Sequence, residues 1–559
     1  MRTLKTQSTV DTKRLPENPN ASGLHNTPPW TFWVMGVVLL IFVGLGTVQR
    51  DNHWFLDAWE HHRAIKALTE NFWNPGNPTY LSSAPSIRYG PYVVTCACIS
   101  LLTGVDPYDL MTGAAIFNMV LLLTGVVILL RSFGEAAAAS ACLVMILGLY
   151  GRVPSYATSF AACDLPWQLV NPSSFAFGLM LLTWASFRHI RESRWRGLSV
   201  LVVIIFCPLI CIDHVILGYL CQVGLWLQVL FSPSPQRRLL VTTAIISGVV
   251  SLVIWVLWPW YSLITILTTR FEGYWLEFWV QRALLGKWCV PAVLCGVAAL
   301  AFKHRELVRI FLVGGYAVYV MALVSMILCR LIPSSMVLIR TALPALIFFH
   351  LPLGVYAHQV GLFRLSAWLA RLRDLLSGNR QRVGPAALDA ILIGMLCWSF
   401  VFQAAAVAQW PHLGRAYLAP LFGKPTRELH LKARYDRLLG SVVGPRDVVL
   451  ADGHTSWPVP STAGRIVWAV HPEAFVADHQ DRQQAVENFF SPSITDKHRA
   501  DILHRYEVKW ILLNRDKLDE FVFDELLIEV AVVRRDDLLV LMDAHQWLLH
   551  QQMLTLPGD

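Results

Sequence analysis

Apolar runs of about 20 residues, the length that a helix needs to cross a bilayer, recur along the chain as far as position 408. The composition agrees with them, because 55% of the residues are hydrophobic and only 15% are charged. A soluble protein carries about 25% charged residues. The runs therefore predict a polytopic α-helical membrane protein.

The predicted spans are counted from these runs and from the loops between them. The runs lie near residues 30–48, 91–105, 112–131, 136–150, 168–187, 198–214, 216–231, 239–260, 288–302, 308–329, 338–360 and 386–408. Arg and Lys are in excess in the loops 188–197, 232–238, 303–307 and 364–385. Such an excess marks cytoplasmic loops, so it explains the net charge of +8 without nucleic acid, and we expect no nucleic-acid partner.

The basic loops also constrain how many times the chain crosses the membrane. Residue 49 is expected outside and residue 188 inside, which requires an odd number of crossings, but four runs lie between them. Either one run is re-entrant or 136–165 hides two short crossings. The total is then 11 or 13 transmembrane helices.

The chain divides into three predicted parts. Residues 1–29 are polar and rich in Asn, Thr and Pro, which predicts a disordered cytoplasmic N-terminus. Residues 30–408 form the transmembrane domain, which includes the external loop 49–90. The tail 409–559 is expected to be an extracytoplasmic α/β domain, because strand and helix patterns alternate along it. Its predicted strands are 448–452, 465–470, 508–514 and 538–543, and its predicted helices are 480–490 and 496–506.

The external loop begins with an amphipathic helix that we expect to lie on the membrane surface. Apolar residues recur at helical spacing, at Ala58, Ile65, Leu68 and Phe72. Asp57 and His61 are four positions apart and share a face, with Glu60 beside them and Asp51 before the helix. A carboxylate held there can take the proton of an acceptor hydroxyl. The alternative is a solvated, charged helix face.

Motifs in the loop and in the tail resemble those of the GT-C superfamily of membrane glycosyltransferases, in particular its bacterial members with a C-terminal external domain. The loop motifs are Asp57-x-x-x-His61, Asn74-Pro75 and Tyr89-Gly90-Pro91. The tail motifs are Thr462-x-Gly464-Arg465, the pair Phe489-Phe490 and the strand that begins Tyr506-x-Val508-x-Trp510.

This resemblance implies an extracytoplasmic enzyme in the cell envelope. Its donor would be a polyprenyl-phosphate-linked sugar, and its acceptor a glycan, lipid or protein. The superfamily's catalytic acid maps to Asp57, with Asp51 as the other choice. Many members have two acidic residues one position apart, a spacing that this sequence lacks, so the base stays open among Asp51, Asp57 and Glu60. Several members need a divalent cation such as Mg²⁺ or Mn²⁺; only isolated carboxylates occur here, so no metal ligands are assigned and metal dependence stays open.

Basic residues near the membrane surface are candidates for the donor phosphate, which cations held by rigid elements would bind. Arg340 lies inside an apolar run, where an unpaired charge is costly. Its alternative is snorkelling to the interface. Arg88 lies beside the second predicted span, and Arg270 and Lys287 flank an external segment. His214 ends a span, where a satisfied interfacial histidine is the alternative.

Two other functions remain open at the level of sequence. One is a non-catalytic component of a polysaccharide assembly complex that keeps the same fold. The other is a transporter of lipid-linked glycans, although such transporters usually contain internal repeats, and none is found here. The Trp-rich stretch 255–288 is either an aromatic belt at the headgroups or a surface for sugar rings or the prenyl chain.

Overall fold

The computed structural model describes residues 27–48, 56–149, 160–162, 165–191, 194–262, 305–328, 344–363, 383–408, 431–470, 473, 475–476, 478–515, 531–536 and 538–555. The predicted disorder of residues 1–29 falls almost entirely outside these ranges. The described chain consists of a helical bundle followed by a C-terminal region with a β-sheet.

The helices of the bundle are α1 (Trp30–Val48), α2 (Leu56–Glu70), α3 (Pro91–Thr103), α4 (Pro107–Ser132), α5 (Ala139–Leu149), α6 (Pro172–His189), α7 (Arg196–Asp213), α8 (Val215–Leu230), α9 (Ser234–Val256), α10 (Glu306–Leu328), α11 (Ile347–Gln359) and α12 (Val383–Ala408). Among these described helices, five are long and apolar enough to cross a membrane, namely α1, α4, α7, α9 and α10. The chain is an integral membrane protein, as the apolar runs predict.

The basic loops meet at one end of the bundle in a network of ion pairs. Arg188 makes a bidentate pair with Glu306 at 2.6 and 2.7 Å, and Arg191 contacts the same carboxylate at 3.1 Å. Arg188 also donates to the carbonyl of Ser132 at the end of α4. Arg191 reaches Ser232, which follows α8. The ends of α4, α6 and α8 and the start of α10 therefore share one side of the bundle.

Helix α3 does not cross the bundle, so the span predicted at 91–105 is wrong. Asp106, three residues past the end of α3, lies 4.0 Å from His62 of α2. At the start of α3, the backbone N–H of Tyr92 donates to Asp213, at the end of α7. Both ends of α3 thus lie at the α2 side of the bundle. Its 13 residues extend only about 20 Å, which is too short for the hydrocarbon core.

The crossing count is then consistent with the basic loops. From the α2 side, α4 extends for 26 residues to the ion-pair network, a distance of about 39 Å. The chain has returned to the α2 side by residue 170, since the carbonyl of Val170 accepts from the hydroxyl of Tyr92 in α3. Helix α6 then leads back to Arg188. These three crossings give the odd number that the loops require, and the non-crossing run is 91–105.

The C-terminal region contains a mixed five-stranded sheet in the order β2-β1-β3-β5-β4. Its elements are α13 (Leu431–Leu439), β1 (Val448–Leu450), β2 (Arg465–Ile466), α14 (His479–Phe490), α15 (Asp496–Arg505), β3 (Val508–Asn514), β4 (Val532–Arg535), β5 (Leu539–Asp543) and α16 (Ala544–Thr555). Strands β2, β1 and β3 are parallel, whereas β5 is antiparallel to β3 and β4. The six predicted elements are present, with β1 and β2 shorter than predicted; β4, α13 and α16 were not predicted.

Both faces of this sheet are covered, and one of them receives a side chain from the loop between α2 and α3. Ile511 and Leu513 of β3 pack with Phe489 and Phe490 of α14, together with α15 and α16. On the other face, Leu512 packs with α13 and with Tyr80 of the loop that follows α2. The alternation along β3 is that of a central strand with two buried faces. The sheet is thereby attached to the α2 side of the bundle.

Candidate active site

Helix α2 is enclosed by the rest of the protein, although it carries many charged residues. Its apolar residues Ala58, Ile65 and Leu68 enter the core of the bundle. Its ionisable residues are buried as well, with exposed fractions of 1% for Glu60, 7% for His61, 2% for His62 and 1% for Arg63. The alternative of a solvated, charged face is therefore wrong for these four residues. Asp57 lies in the first turn of α2, but its side chain and all of Asp51 fall outside the described residues.

Glu60 lies between two guanidinium groups. Its Oε1 is 3.6 Å from Nη2 of Arg63, one turn along α2, and its Oε2 contacts Nη2 of Arg88 in an ion pair. A buried carboxylate needs such compensation, because removing a charge from water is costly unless it is paired. With both oxygens facing cations, Glu60 is suited to hold Arg88 in place.

The same cluster extends into the C-terminal region through Glu473. Its Oε1 accepts hydrogen bonds from Arg63 Nη2 at 3.0 Å and from the hydroxyl of Thr79 at 2.9 Å. Its Oε2 accepts from the hydroxyl of Ser86 at 3.1 Å. Glu473, Arg63, Glu60 and Arg88 thus form a row of alternating charges, which we call the charge row. Arg88 is its most exposed member, with 23% of its side chain accessible.

His61 lies beside the charge row and is held in the neutral form. Burial lowers the pKa of its imidazole well below the ordinary value, and the positive charge of Arg88 lowers it further. Nδ1 of His61 is buried and has no hydrogen-bond partner in the described part of the chain. A neutral imidazole next to the first turn of α2 can accept or donate a hydrogen bond without adding charge.

Asp213 and His214 approach α2 from the end of α7. One oxygen of Asp213 caps α3 by accepting from Tyr92 at 2.9 Å, and a Cβ on Gly90 would stand 2.8 Å from that oxygen. Glycine at position 90 therefore allows the close approach of the capping carboxylate. His214 Nδ1 accepts from the backbone N–H of Leu217 at 3.4 Å and caps α8, which supports the reading of a satisfied interfacial histidine.

Two Trp residues after α9 fix the loop between α2 and α3. Trp258 donates from its indole nitrogen to the carbonyl of Tyr89 at 2.8 Å, and Trp260 donates to the carbonyl of Phe72 at 2.9 Å. Trp260 also stacks on Trp73, with ring centroids 6.4 Å apart. The stretch 255–288 was predicted to be an aromatic belt or a surface for sugar rings or the prenyl chain. Trp258 and Trp260 instead hold both ends of the loop by their hydrogen bonds.

The motif Thr462-x-Gly464-Arg465 joins the sheet to α2. Arg465 donates to the carbonyl of Asn77 at 3.1 Å and lies 3.4 Å from Glu70, and Lys66 donates to the carbonyl of Thr462. A polar cleft of about 250 Å³ opens beside this joint. It is lined in part by His62, Lys66, Glu70, Asp106, Asp436 and Thr462.

Comparisons with known proteins address the fold. The sequence matches no protein-family model and no curated protein. Among solved structures, ArnT from Cupriavidus metallidurans bound to undecaprenyl phosphate is similar over 92% of this chain and 99% of its own, with a TM-score of 0.51 at 13% identity. The chain has the GT-C fold.

Two further GT-C structures show weaker similarity. ArnT from the same organism in the apo state covers 94% of this chain and 99% of its own, at 14% identity and a TM-score of 0.49. The archaeal oligosaccharyltransferase AglB from Archaeoglobus fulgidus, in complex with an inhibitory peptide and a dolichol-phosphate, covers 88% of this chain and 70% of its own, at 13% identity and a TM-score of 0.39.

The structure brings together some of the predicted site residues. Glu60, His61 and Arg88 adjoin one another, and His214 is an electrostatic neighbour of His61. Arg270, Lys287 and Arg340 lie outside the described residues. Where the structure describes the chain, no group of three His, Cys, Asp or Glu side chains could hold a metal ion.

Three residues of the site were not predicted. Arg63 follows His61 and His62 in the sequence, and this position next to predicted site residues was the signal that could have found it. Asp213 precedes His214 at the end of an apolar run, which marks it in the same way. Glu473 has no local signal, because it lies 410 positions from the arginine that it binds.

Proposed function

We propose that the protein transfers a sugar from a polyprenyl-phosphate-linked donor to a glycan, lipid or protein acceptor on the extracytoplasmic side of the membrane. The observation that carries this proposal is the buried charge row on α2, which leads from the C-terminal region to the partly exposed cation Arg88. Its setting in a GT-C fold adds support, since the similar ArnT structure holds undecaprenyl phosphate.

In the proposed reaction, an acceptor hydroxyl oxygen forms a bond to the anomeric carbon of the donor sugar. The bond from that carbon to the phosphate oxygen breaks, and its electron pair leaves with the polyprenyl phosphate. A carboxylate of the loop takes the proton of the acceptor hydroxyl. We assign that role to Asp57, with Asp51 as the other choice, because Glu60 is engaged by two arginines.

The leaving phosphate gains negative charge, which a fixed guanidinium stabilises. We assign this role to Arg88, because Glu60 holds it and part of its side chain reaches the surface. Arg340, Arg270 and Lys287 remain proposed donor ligands on the strength of their sequence positions. His214 is assigned only a supporting place near His61.

The proposed orientation rests on the two ends of the bundle. The basic loops that contain Arg188 and Arg305 lie at the end opposite α2, and basic loops face the cytoplasm. Helix α2 and the C-terminal region then face outside. The polar cleft beside Thr462 opens on this side, and its carboxylates Asp106 and Asp436 can accept hydrogen bonds from acceptor hydroxyls, whereas Glu70 in its lining is paired with Arg465.

The experiment that tests the proposal is sugar transfer by the purified protein from a panel of polyprenyl-phosphate sugars. Asp57→Asn keeps the size of the side chain but cannot accept the proton. Loss of a positioned base lowers the rate by about a hundred- to ten-thousand-fold. We expect that loss for Asp57→Asn with normal expression, and a smaller one for Asp51→Asn.

Asp109→Asn is the matched control, because Asp109 is an exposed carboxylate in the first turn of α4. It should retain the wild-type rate. A larger loss of transfer rate for Asp51→Asn than for Asp57→Asn would assign the role of the base to Asp51. Full transfer by both would remove the loop carboxylates from the reaction, and no transfer from any donor would favour a non-catalytic component.

A further inference from the structure

Glu473 is a buried carboxylate of the C-terminal region that binds three groups of the external loop and its helix. It is 6% exposed, and both of its oxygens are used by Arg63, Thr79 and Ser86. Thr79 and Ser86 lie in the loop between α2 and α3, whereas Arg63 lies on α2. One carboxylate thus fixes the loop and the helix relative to each other.

The position of Arg63 depends on this carboxylate. Arg63 Nη2 is 3.0 Å from Glu473 and 3.6 Å from Glu60, so Glu473 is its closer partner. Nε and Nη1 of Arg63 have no hydrogen-bond partner among the described residues. Without the charge of Glu473, the guanidinium would be drawn towards Glu60, its only other carboxylate in the charge row.

Glu60 in turn determines where Arg88 lies. Its Oε2 contacts Arg88, while its Oε1 faces Arg63. A closer approach of Arg63 would compete with Arg88 for the same carboxylate, and the pair that positions the exposed cation would weaken. The position of Arg88 therefore depends on the charge of Glu473, through Arg63 and Glu60.

We infer that Glu473 is a positioning residue for the binding of the donor phosphate, acting through Arg63 and Glu60 on Arg88. The inference rests on the proposed function, in which Arg88 binds the phosphate. It assigns the C-terminal region a part in donor binding, since this region supplies the carboxylate that sets the charge row.

Glu473→Gln tests the inference, because it keeps the size of the side chain and its acceptor oxygen for Thr79 or Ser86 but removes the charge that attracts Arg63. The KM for the donor should rise and kcat/KM should fall about tenfold or more, because Arg88 binds the donor phosphate and also stabilises the charge on the leaving phosphate. Glu473→Asp, which keeps the charge, should recover part of the affinity.

Glu70→Gln is the matched control, since Glu70 pairs with Arg465 at 3.4 Å across the same joint but lies outside the charge row. It should leave the donor KM within about twofold of the wild-type value. An equal rise in KM for Glu70→Gln, or an effect of Glu473→Gln confined to kcat, would overturn the inference.

A titration of the purified full-length protein with undecaprenyl phosphate separates this inference from the proposed function. Suppose that the wild-type protein transfers no sugar, but Glu473→Gln binds undecaprenyl phosphate more weakly than the wild type does. That result would support the positioning role and refute the transfer reaction. Transfer by the wild type with unchanged binding and KM in Glu473→Gln would refute the positioning role alone.

Discussion

Replacement of Glu60 by Gln tests whether this carboxylate serves as a counter-ion or as a base. Glu60 is 1% exposed and the side chain of Arg63 is fully buried, so water cannot compensate either charge after its partner is removed. Breaking a buried ion pair by removing one partner costs about 3–5 kcal/mol. We expect Glu60→Gln to lower the free energy of unfolding by that amount, and Arg63→Met to do so as well.

The double variant distinguishes the two roles. When both charges are absent, Glu473 keeps its hydrogen bonds from Thr79 and Ser86, and Arg88 can turn its exposed part to water. Replacing a buried pair with uncharged side chains of similar volume is often close to neutral. The double variant should therefore be more stable than the sum of the single effects predicts, by about 1–3 kcal/mol.

The assay is unfolding of the purified variants in detergent, followed by sugar transfer from a polyprenyl-phosphate sugar. Additive losses of stability would refute the coupling of Glu60 and Arg63 in the charge row. A double variant that regains stability and part of its transfer rate would confirm the counter-ion role. Recovered stability with a complete loss of transfer would instead assign a proton-accepting role to Glu60.

Three further predictions follow from single residues. Burial lowers the pKa of His61 in the folded chain below its ordinary value of about 6.5, so below that pH the unfolded chain takes up a proton there and the folded chain does not. The free energy of unfolding therefore falls as the pH falls. His61→Gln should remove up to about 1.4 kcal/mol per pH unit of this loss in unfolding measured from pH 7 to 5. Gly90→Ala should destabilise the protein by about 1–3 kcal/mol in the same assay, because its Cβ would meet Asp213 at 2.8 Å. Gly113→Ala, with open space around it, should not destabilise the protein, and equal effects of the two variants would contradict this reason. A Cys introduced at the exposed Ser493 should react in intact cells with a membrane-impermeant thiol reagent, and labelling only after lysis would refute the proposed orientation.

The elements that the sequence predicted well are those whose hydrophobic pattern is local. Helix α2 was expected from apolar residues at helical spacing, and it extends from Leu56 to Glu70. Strand β3 was expected at 508–514 and has those bounds, because its run of large apolar residues suits a strand buried on both faces. Patterns of this kind are decided by the neighbouring residues and need no knowledge of distant contacts.

The apolar run at 91–105 was wrongly predicted to be a membrane span, because composition does not report where a helix lies. Its 13 helical residues are apolar enough for a short span, yet both ends of α3 lie at the same side of the bundle. The contacts that hold them there come from His62 and Asp213, which are distant from the run in sequence. The correct crossing count therefore depended on the tertiary structure.

The sequence by itself determined that the chain lies in a membrane, that a charged helix follows the first span and that an α/β sheet region forms the tail. Only the tertiary structure decided what that helix is for. The row from Glu473 to Arg88 joins residues up to 410 positions apart, and it exists because the sheet region covers α2 and excludes water from it. A charged helix face in water would interact weakly with its surroundings. The same side chains under that cover must be paired, and the pairing places Arg88.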